Sequence, residues 1–328
     1  MTPLVSVIIV NWNGKKFLKE CLDSLLVQSY TDFEIIFVDN GSSDGSIEYV
    51  RSNYPYVTIL ALPQNVGFAA GNNAGFEHCR GEMIVTLNND TKVVPEFLEE
   101  LVKPVIADSR VGMVAAKMLN YFEPDRIDAI GLMIAGNGLG YNKGIAETDH
   151  WQHKTSTQVF GPCGGAALYR RAMLLETGFF DDDFFAYYED FDLAWRCRLA
   201  GWQAMTAPDA VVYHIHSATS GEWSPFKVYH THRNKWYVIA KNWPTRVIMR
   251  YLPKIFLYDF AAFILAVMRG QWVKASKARL DSVRNIPVLL RKREEIQKGR
   301  KLDDDQVLSL FSPYESPIRT FMRKRGRR

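Results

Sequence analysis

The 328 residues are 47% apolar and 23% charged, which is typical of a globular protein and excludes a disordered or collagen-like chain. The net charge of +4 is too small to identify a partner, and the four cysteines form no C-x-x-C pair, so they indicate neither a zinc site nor a disulfide framework. They fit a reducing cytoplasm. No basic leader precedes the first apolar run and no apolar run reaches about 18 residues, so we expect neither a signal peptide nor a spanning helix.

Strands and helices alternate from the N-terminus onward. Apolar, β-rich runs predict strands at residues 5–10, 34–38, 57–62, 83–87 and 111–116, and apolar residues at helical spacing predict the helices between them. Short links between alternating elements predict an α/β fold with a largely parallel, doubly wound sheet. Such sheets bind ligands at the carboxyl ends of their strands, where Asp39 and Asp90 both fall.

Residues 119–159 break this alternation. They are rich in Gly and Asn and predict hairpins and a loop near the site. Residues 161–171 then predict a bend that leads into a strand, and Gly164 and Gly165 in it permit close approach of the backbone to a ligand. A plain bulge is the alternative interpretation of these two glycines.

Three carboxylates, Glu189, Asp190 and Asp192, follow the aromatic residues of segment 184–188, just before a predicted helix. Carboxylates held together where aromatic groups exclude water have raised proton affinities, which prepares one of them to take a proton from a hydroxyl group at neutral pH. The alternative is an acidic helix start, since carboxylates favour the positive end of the helix dipole. A late strand at residues 210–215 then carries His214, with His216 just beyond it.

Four segments in order carry a family resemblance: V-D-N-G-S-S-D-G-S at 38–46, L-N-N-D-T at 87–91, Y-E-D at 188–190 and Y-H at 213–214. Together they resemble an inverting glycosyltransferase of family 2 with the GT-A fold, in the rhamnosyltransferase-like subgroup of bacterial surface polysaccharide synthesis. The resemblance covers about residues 4–245.

The resemblance implies a nucleotide-sugar site at the strand ends. Asp39 matches the carboxylate that holds the nucleotide, although an Asx turn would also explain it. The matching positions for the base and the sugar pocket are Val10, Asn11, Asn13, Asn65, Gly67, Asn73 and Asn89. For the segment containing Asn65, Gly67 and Asn73, a glycine-rich helix start with side-chain caps is the alternative interpretation.

The resemblance also implies a metal site and a base. Segment 88–90 occupies the place of the family's D-x-D, with Asn88 where the first Asp would stand, so Asp90 alone supplies charge to a divalent cation, Mn²⁺ or Mg²⁺. His214 matches a histidine that completes the coordination, with His216 second, and an imidazole ligand favours manganese. A satisfied buried histidine is the alternative. Asp190 matches the catalytic base, Glu189 would hold an acceptor hydroxyl or tune Asp190, and Asp192 is predicted to cap the helix.

The C-terminal region is basic and aromatic. Residues 247–268 are apolar but interrupted by charges and a proline, so we expect an interfacial helix and not a spanning one. Residues 269–301 contain eleven Lys or Arg against three Asp or Glu, which suits an anionic inner leaflet. A helical hairpin packed on the catalytic domain is the alternative. We predict a catalytic domain at 1–240 and a membrane-associating region at 241–328, in a protein that is cytoplasmic and peripheral to the cytoplasmic face of the membrane.

The predicted function is transfer of a sugar, with rhamnose favoured by the resemblance, from a dTDP- or UDP-linked donor to a lipid-linked saccharide acceptor. A non-catalytic nucleotide-sugar-binding tether of a polysaccharide assembly complex is the alternative, since Asn88 replaces an acid. A nucleotidyltransferase would need a basic, Gly-rich phosphate loop after the first strand, which residues 11–14 do not form. No recognition motif for nucleic acid accompanies the basic tail.

Overall fold

The computed structural model describes residues 4–150, 152–215 and 224–313. The strands of this described part are β1 (Val5–Asn11), β2 (Phe33–Asp39), β3 (Thr58–Ala61), β4 (Met83–Leu87), β5 (Thr91–Val93), β6 (Val111–Asn120), β7 (Ile127–Ala129), β8 (Leu132–Ile134), β9 (Gly140–Asn142), β10 (Ala166–Arg170) and β11 (Gln203–His214). The helices are α1 (Lys15–Leu26), α2 (Ser46–Asn53), α3 (Gly67–Phe76), α4 (Phe97–Ala107), α5 (Arg171–Thr177), α6 (Glu189–Leu199), α7 (Pro225–Asn242), α8 (Thr245–Met268), α9 (Trp272–Arg284), α10 (Ile286–Lys298) and α11 (Asp304–Ser309). A short 3-10 helix, Asp182–Phe184, precedes α6.

The central sheet has the strand order β3-β2-β1-β4-β10-β6-β11-β5, with β7 paired to β6. Its first four strands are parallel. Strand β10 then runs antiparallel to both of its neighbours, and β5 runs antiparallel to β11. The α/β fold with a helical C-terminal extension is confirmed, but the largely parallel sheet that we predicted is a mixed one. Chain alternation predicts the parallel half, whereas β10 enters the sheet after an excursion of more than forty residues.

The core lies on both faces of the sheet, because successive side chains of a strand point to opposite sides. On one face, Ile8 and Ile36 pack in a cluster that includes residues of α6 and α7. On the other face, Ile9 and Phe37 pack with residues of α1 and α4. The inner strands β1, β2 and β4 are therefore mostly apolar and buried, as sheets covered on both sides require.

The C-terminal helices pack on the catalytic domain. Trp243, at the end of α7, is fully buried, and its ring centroid lies 5.9 Å from that of Trp195 in α6 and 4.7 Å from that of Phe311. Residue 240, the predicted domain boundary, falls inside α7. The C-terminal helices α7 to α11 form a helical layer, and this layer thus begins with a helix that also contacts α6.

Helix α8 is one continuous helix of 24 residues despite its charges and Pro253. Within the described residues it is the one helix long and apolar enough, by length and composition, to cross a membrane. This differs from the expectation that its interruptions exclude spanning. Most of its apolar side chains are exposed, including Leu257 (71%) and Phe260 (64%).

Candidate functional site

Asp39 ends β2 and lies beside Asn11, the last residue of β1, in the parallel register. Both side chains are fully buried, and Asn11 Nδ2 donates to Asp39 Oδ1 at 3.2 Å. The other carboxylate oxygen accepts from Ser42 N at 2.9 Å, so Asp39 also forms the turn that the alternative interpretation predicted. Val10 lies one residue earlier, where a Cβ on Gly71 of α3 would come within 2.9 Å of its Cγ1.

Asn13 fixes the loop that follows β2. Its backbone N–H donates to Ser42 Oγ at 2.9 Å, and its side-chain oxygen accepts from Ser43 N at 2.8 Å. Asn13 has a φ of 50°, a left-handed conformation that asparagine tolerates better than most residues. The predicted nucleotide residues Asn11, Asn13 and Asp39 therefore form one rigid edge at the carboxyl ends of β1 and β2.

Two of the three predicted pocket residues around α3, Gly67 and Asn73, lie against the segment that leads to Asp190. Asn73 Nδ2 donates to Phe180 O and to Asp182 Oδ1, both at 2.7 Å. A Cβ on Gly67, whose φ is +92°, would lie 2.5 Å from Phe185 O. Asn65 Oδ1 accepts from Gly67 N at 2.9 Å, just before α3, whose N-cap residue Val66 makes no side-chain cap bond. Gly67 and Asn73 thus hold the segment that leads to Asp190.

A chain of contacts joins the carboxyl end of β1 to Asp190. Asn89 Nδ2 donates to Asn11 Oδ1 at 2.6 Å, which ties the 88–90 turn to β1. Asn88 N donates to Gly165 O at 2.9 Å. The preceding residue, Gly164, donates its N–H to Asp190 Oδ2 at 3.2 Å. The two glycines therefore contact the 88–90 turn on one side and Asp190 on the other.

Asp190 stands in the first turn of α6 as a partly buried carboxylate. Burial raises its pKa to about 6, although the N–H groups of Gly164 and Phe191 act in the opposite direction. Burial, and then the charge of Asp190, raise the pKa of Glu189 well above its usual range. Glu189 Oε2 has no hydrogen-bond partner among the described residues although it is buried. The pair thus combines Asp190, a carboxylate with a raised pKa, with Glu189, whose unpartnered oxygen could form a hydrogen bond with a neutral hydroxyl.

His214, at the end of β11, lies between two acids. Its Nε2 is 3.5 Å from Asp90 Oδ1 and 3.5 Å from Asn88 Nδ2, and its Nδ1 is 3.4 Å from Asp128 Oδ2. Burial alone would lower the pKa of His214, but the contacts with Asp128 and Asp90 outweigh it and raise the pKa to about 9. His216, the second candidate, lies outside the described residues.

The residues around His214 Nε2 fit a divalent cation. His214 Nε2 lies 3.5 Å from Asp90 Oδ1, a separation that two neighbouring ligands about 2 Å from one ion also have. The Asn88 amide nitrogen lies 3.5 Å from His214 Nε2, so Asn88 would bind a cation through its oxygen only after its amide turns over. The described residues hold no group of three or more His, Cys, Asp or Glu side chains placed to bind a metal by themselves. One acid, one imidazole and one amide leave the remaining positions to substrate phosphates.

Asp128 was missed by the sequence analysis. It lies on β7, in the Gly- and Asn-rich segment where no motif marks it, and 86 positions separate it from His214. A carboxylate on the second nitrogen of a metal-binding histidine fixes the tautomer and the ring orientation. The one sequence signal for Asp128 was that it is the polar residue of β7, a short strand that follows β6.

Asp192 does not cap α6, contrary to the prediction. Its fully buried carboxylate contacts Arg196 Nε at 2.9 Å and Lys241 Nζ at 2.9 Å, and accepts from Asn242 Nδ2 at 2.8 Å. The residue before the helix, Tyr188, caps it with a left-handed backbone and no side-chain bond. Asp192 therefore anchors α6 to α7 through buried charge.

Three comparisons with known proteins bear on this geometry. The family model for glycosyl transferase family 2 matches residues 6–178. An uncharacterised protein of Sinorhizobium fredii is 28% identical over 232 residues, which cover 67% of this chain and 25% of that protein. The N-acetylglucosaminyl-diphospho-decaprenol L-rhamnosyltransferase of Mycobacterium tuberculosis is 25% identical over 264 residues, covering 74% of this chain and 85% of the relative.

Among solved structures, the mannosyltransferase of Pyrobaculum calidifontis in complex with GDP-Man and Mn²⁺ superposes with a TM-score of 0.56. It is 20% identical, and the match covers 99% of this chain and 85% of that one. This match shows that the two chains share a fold. The chain spans only a quarter of the Sinorhizobium relative.

Proposed function

This chain belongs to glycosyl transferase family 2 and has the GT-A fold, and from that premise we propose that it is an inverting sugar transferase acting on a lipid-linked saccharide. That it is a glycosyltransferase follows from the family and from its named relatives. The observation that supports the proposed mechanism is the pair Gly164–Gly165, which links the 88–90 turn to a carboxylate whose pKa is raised to about 6.

The proposed reaction is a single displacement. Asp190 takes the proton of the acceptor hydroxyl, the hydroxyl oxygen bonds to the anomeric carbon, and the bond from that carbon to the diphosphate oxygen breaks. A base with a pKa near 6 is unprotonated at neutral pH yet retains affinity for the proton. Attack from the face opposite the leaving group inverts the anomeric carbon.

Glu189 would accept a hydrogen bond from, or donate one to, a second acceptor hydroxyl through its unpartnered Oε2. Asp39, Asn11 and Asn13 would hold the nucleotide at the ends of β1 and β2. Asp90 and His214, with Asn88, would hold a divalent cation that neutralises charge on the departing diphosphate. Asp128 would keep His214 oriented toward that site.

Rhamnose on dTDP is the proposed donor, and UDP-linked sugars are the second class. The name of the Mycobacterium tuberculosis relative specifies a rhamnosyltransferase and a lipid-linked acceptor, which supports both choices. The mannosyltransferase neighbour was solved with Mn²⁺, which supports a divalent cation here. Named glycosyltransferases among the relatives do not favour the non-catalytic tether.

We also propose that the helical layer lies on the cytoplasmic face of the membrane. Exposed apolar side chains of α8 and α9, among them Phe256, Leu257, Phe260 and Trp272, form its outer surface. Asp259, in the middle of α8, is paired with Lys235 of α7 at 2.6 Å and with Arg279 of α9 at 2.8 Å. Insertion of α8 across a bilayer would break these buried pairs, so the helix lies in the interface.

Sedimentation with vesicles tests this orientation. The double variant Phe256→Ser/Phe260→Ser should lose binding to phosphatidylglycerol vesicles, and Phe122→Ser, an equally exposed phenylalanine of the catalytic domain, should not. Equal sedimentation of the double variant and the wild-type chain would exclude this surface as the lipid contact.

The decisive test of function replaces Asp190 with Asn. We expect kcat for transfer from dTDP-rhamnose to a polyprenyl-diphosphate-linked N-acetylglucosamine acceptor to fall by about a hundred- to ten-thousandfold, since general-base catalysis contributes that much. Binding of the nucleotide sugar, measured by calorimetry, should stay unchanged. Asp209→Asn, an exposed acid of β11, is the control. Near-normal turnover by Asp190→Asn would remove Asp190 as the base.

A further inference from the structure

The segment just before the proposed base has an unusual backbone. Phe185, Tyr187 and Tyr188 have φ values of 63°, 68° and 69°, and none of them is glycine. In this left-handed region the Cβ atom crowds the backbone carbonyl, so bulky residues rarely adopt it. Three such residues in four positions persist only where the surroundings hold them.

One side chain of α7 accounts for most of that support. Asn234 is fully buried, and its Nδ2 lies 2.9 Å from Phe184 O, 2.9 Å from Ala186 O and 2.7 Å from Tyr187 O. The two N–H groups of one amide thus serve three carbonyl oxygens that converge on it. A short, stiff amide is suited to this, since alanine has no donor and aspartate has only acceptors.

The remaining carbonyl of the turn points to the other side. Phe185 O accepts from Ala69 N, in the first turn of α3, at 3.1 Å. Consecutive carbonyls from 184 to 187 are therefore all engaged by two helices that enclose the segment. Arg233 adds bonds from its Nη2 to Asp183 O at 2.7 Å and Phe184 O at 3.1 Å.

We propose that Asn234 is a positioning residue, which holds segment 184–188 in its left-handed turn and thereby sets where α6 begins and where Asp190 presents its carboxylate. The proposal rests on the role of Asp190 given above. It extends that role to a residue 44 positions from Asp190, on a helix outside every motif of the catalytic site. Asn234 itself contacts no reacting atom.

The test compares Asn234→Ala with Asn285→Ala. Asn285 is an asparagine of the same helical layer, and it donates to Tyr237 Oη and Asp281 O without touching the segment. We expect Asn234→Ala to lower kcat about 10- to 100-fold, as displacement of a catalytic group by about 1 Å does, while KM for the nucleotide sugar changes less than twofold. Asn285→Ala should keep both constants.

Hydrogen exchange gives a readout that does not depend on turnover. In Asn234→Ala the amides of residues 184–190 should exchange at least tenfold faster than in the wild-type chain, while those of β1 and β2 keep their rates. If kcat or the exchange of the segment matches the wild type, the proposal is overturned. If the wild-type chain transfers no sugar, the proposed function fails, and exchange alone then decides the role of Asn234.

Asn234→Ser covers the case in which the alanine variant does not fold. Its hydroxyl retains one donor, so we expect kcat between those of wild type and a chain without the amide, again with KM unchanged. A kcat within twofold of wild type would overturn the proposal.

Discussion

The proposed site has a nucleotide end, at the ends of β1 and β2, and a base end, at segment 181–192, and the two are held in different ways. At the nucleotide end, Asn11, Asn13 and Asp39 are fixed by one another and by Ser42, all at the ends of two adjacent strands. At the base end, segment 181–192 is held by residues that lie far from it in the sequence. Lys241 and Lys292 both contact Asp181, and Asn242 contacts Asp192. One end is built by the sheet, and the other depends on the C-terminal helices.

This difference separates substrate binding from chemistry. The strand ends are part of the deepest core, so the nucleotide edge should survive damage to the helical layer. The base segment has no regular structure of its own between the 3-10 helix and α6, and its contacts lie on α3, α7 and α10. Changes to the helices should therefore reduce kcat and stability before they affect nucleotide affinity.

The largest expected effect comes from Asp192→Ala, which removes the shared partner of Arg196 and Lys241. Loss of one partner of a buried ion pair typically destabilises by about 3–5 kcal/mol, because the other charges stay buried. Urea denaturation should show that loss. The control is Glu294→Ala, which breaks a solvent-exposed pair with Lys298 on α10 and should leave the midpoint unchanged. An unchanged midpoint for Asp192→Ala would mean that the base end does not depend on this anchor.

Asp128→Ala should be next in size and should act at the metal. Removing a carboxylate from the second nitrogen of a metal-binding histidine typically lowers metal affinity about 10- to 100-fold. Calorimetric titration of Mn²⁺ in the presence of dTDP measures it. Asp125→Ala, an exposed acid three residues earlier, should change affinity less than twofold. Equal affinities for the two variants would leave Asp128 without the proposed role.

The sequence predicted the sheet-built end more fully than the helix-built end. Strand periodicity and the placement of polar residues at strand ends suffice to bring Asp39 and Asp90 to one edge. Asp128, Asp192 and Asn234 depend on contacts between residues 47 to 86 positions apart. Local patterns carry no record of such pairings, so Asp128 was missed and Asp192 was assigned to a cap. The same reason explains why the antiparallel β10 was not foreseen.

The dependence of kcat/KM on pH tests the base end of the site. Because the pKa of Asp190 is raised to about 6 by burial, the base is protonated and inactive below that pH, and kcat/KM should fall about tenfold per pH unit there. The other titratable groups near it are Glu189, Cys163, Tyr169 and Tyr188. Burial raises the pKa of the Cys163 thiol to about 12 and raises the pKa values of both tyrosines, so all three stay neutral in this range.

Among the described neighbours of Asp190, Glu189 is therefore the one that can add a second titration, and Glu189→Gln should leave one. The measurement is kcat/KM between pH 5 and 8 for the wild type and this variant. A flat profile in that range would show that proton transfer to a carboxylate with a pKa near 6 does not limit the reaction.

The smallest effect is expected at the nucleotide end, from Asp39→Asn. The amide keeps an oxygen that can accept from Ser42 N, and Asn11 and Asn13 both still donate to Ser42 Oγ, so the edge of the sheet should hold its shape. What disappears is the charge of an acceptor proposed for the base. A hydrogen bond to a charged group contributes about 1.5–3 kcal/mol and one to a neutral group about 0.5–1.5 kcal/mol, so the exchange should cost about 1–1.5 kcal/mol, or roughly 5- to 13-fold in affinity. Calorimetry with dTDP should show this loss with kcat unchanged. Asp44→Asn is the matched control, because its carboxylate accepts from Lys15 N and Ser46 N in the same loop. A fall in kcat without a change in nucleotide affinity would show that the strand ends also position the base.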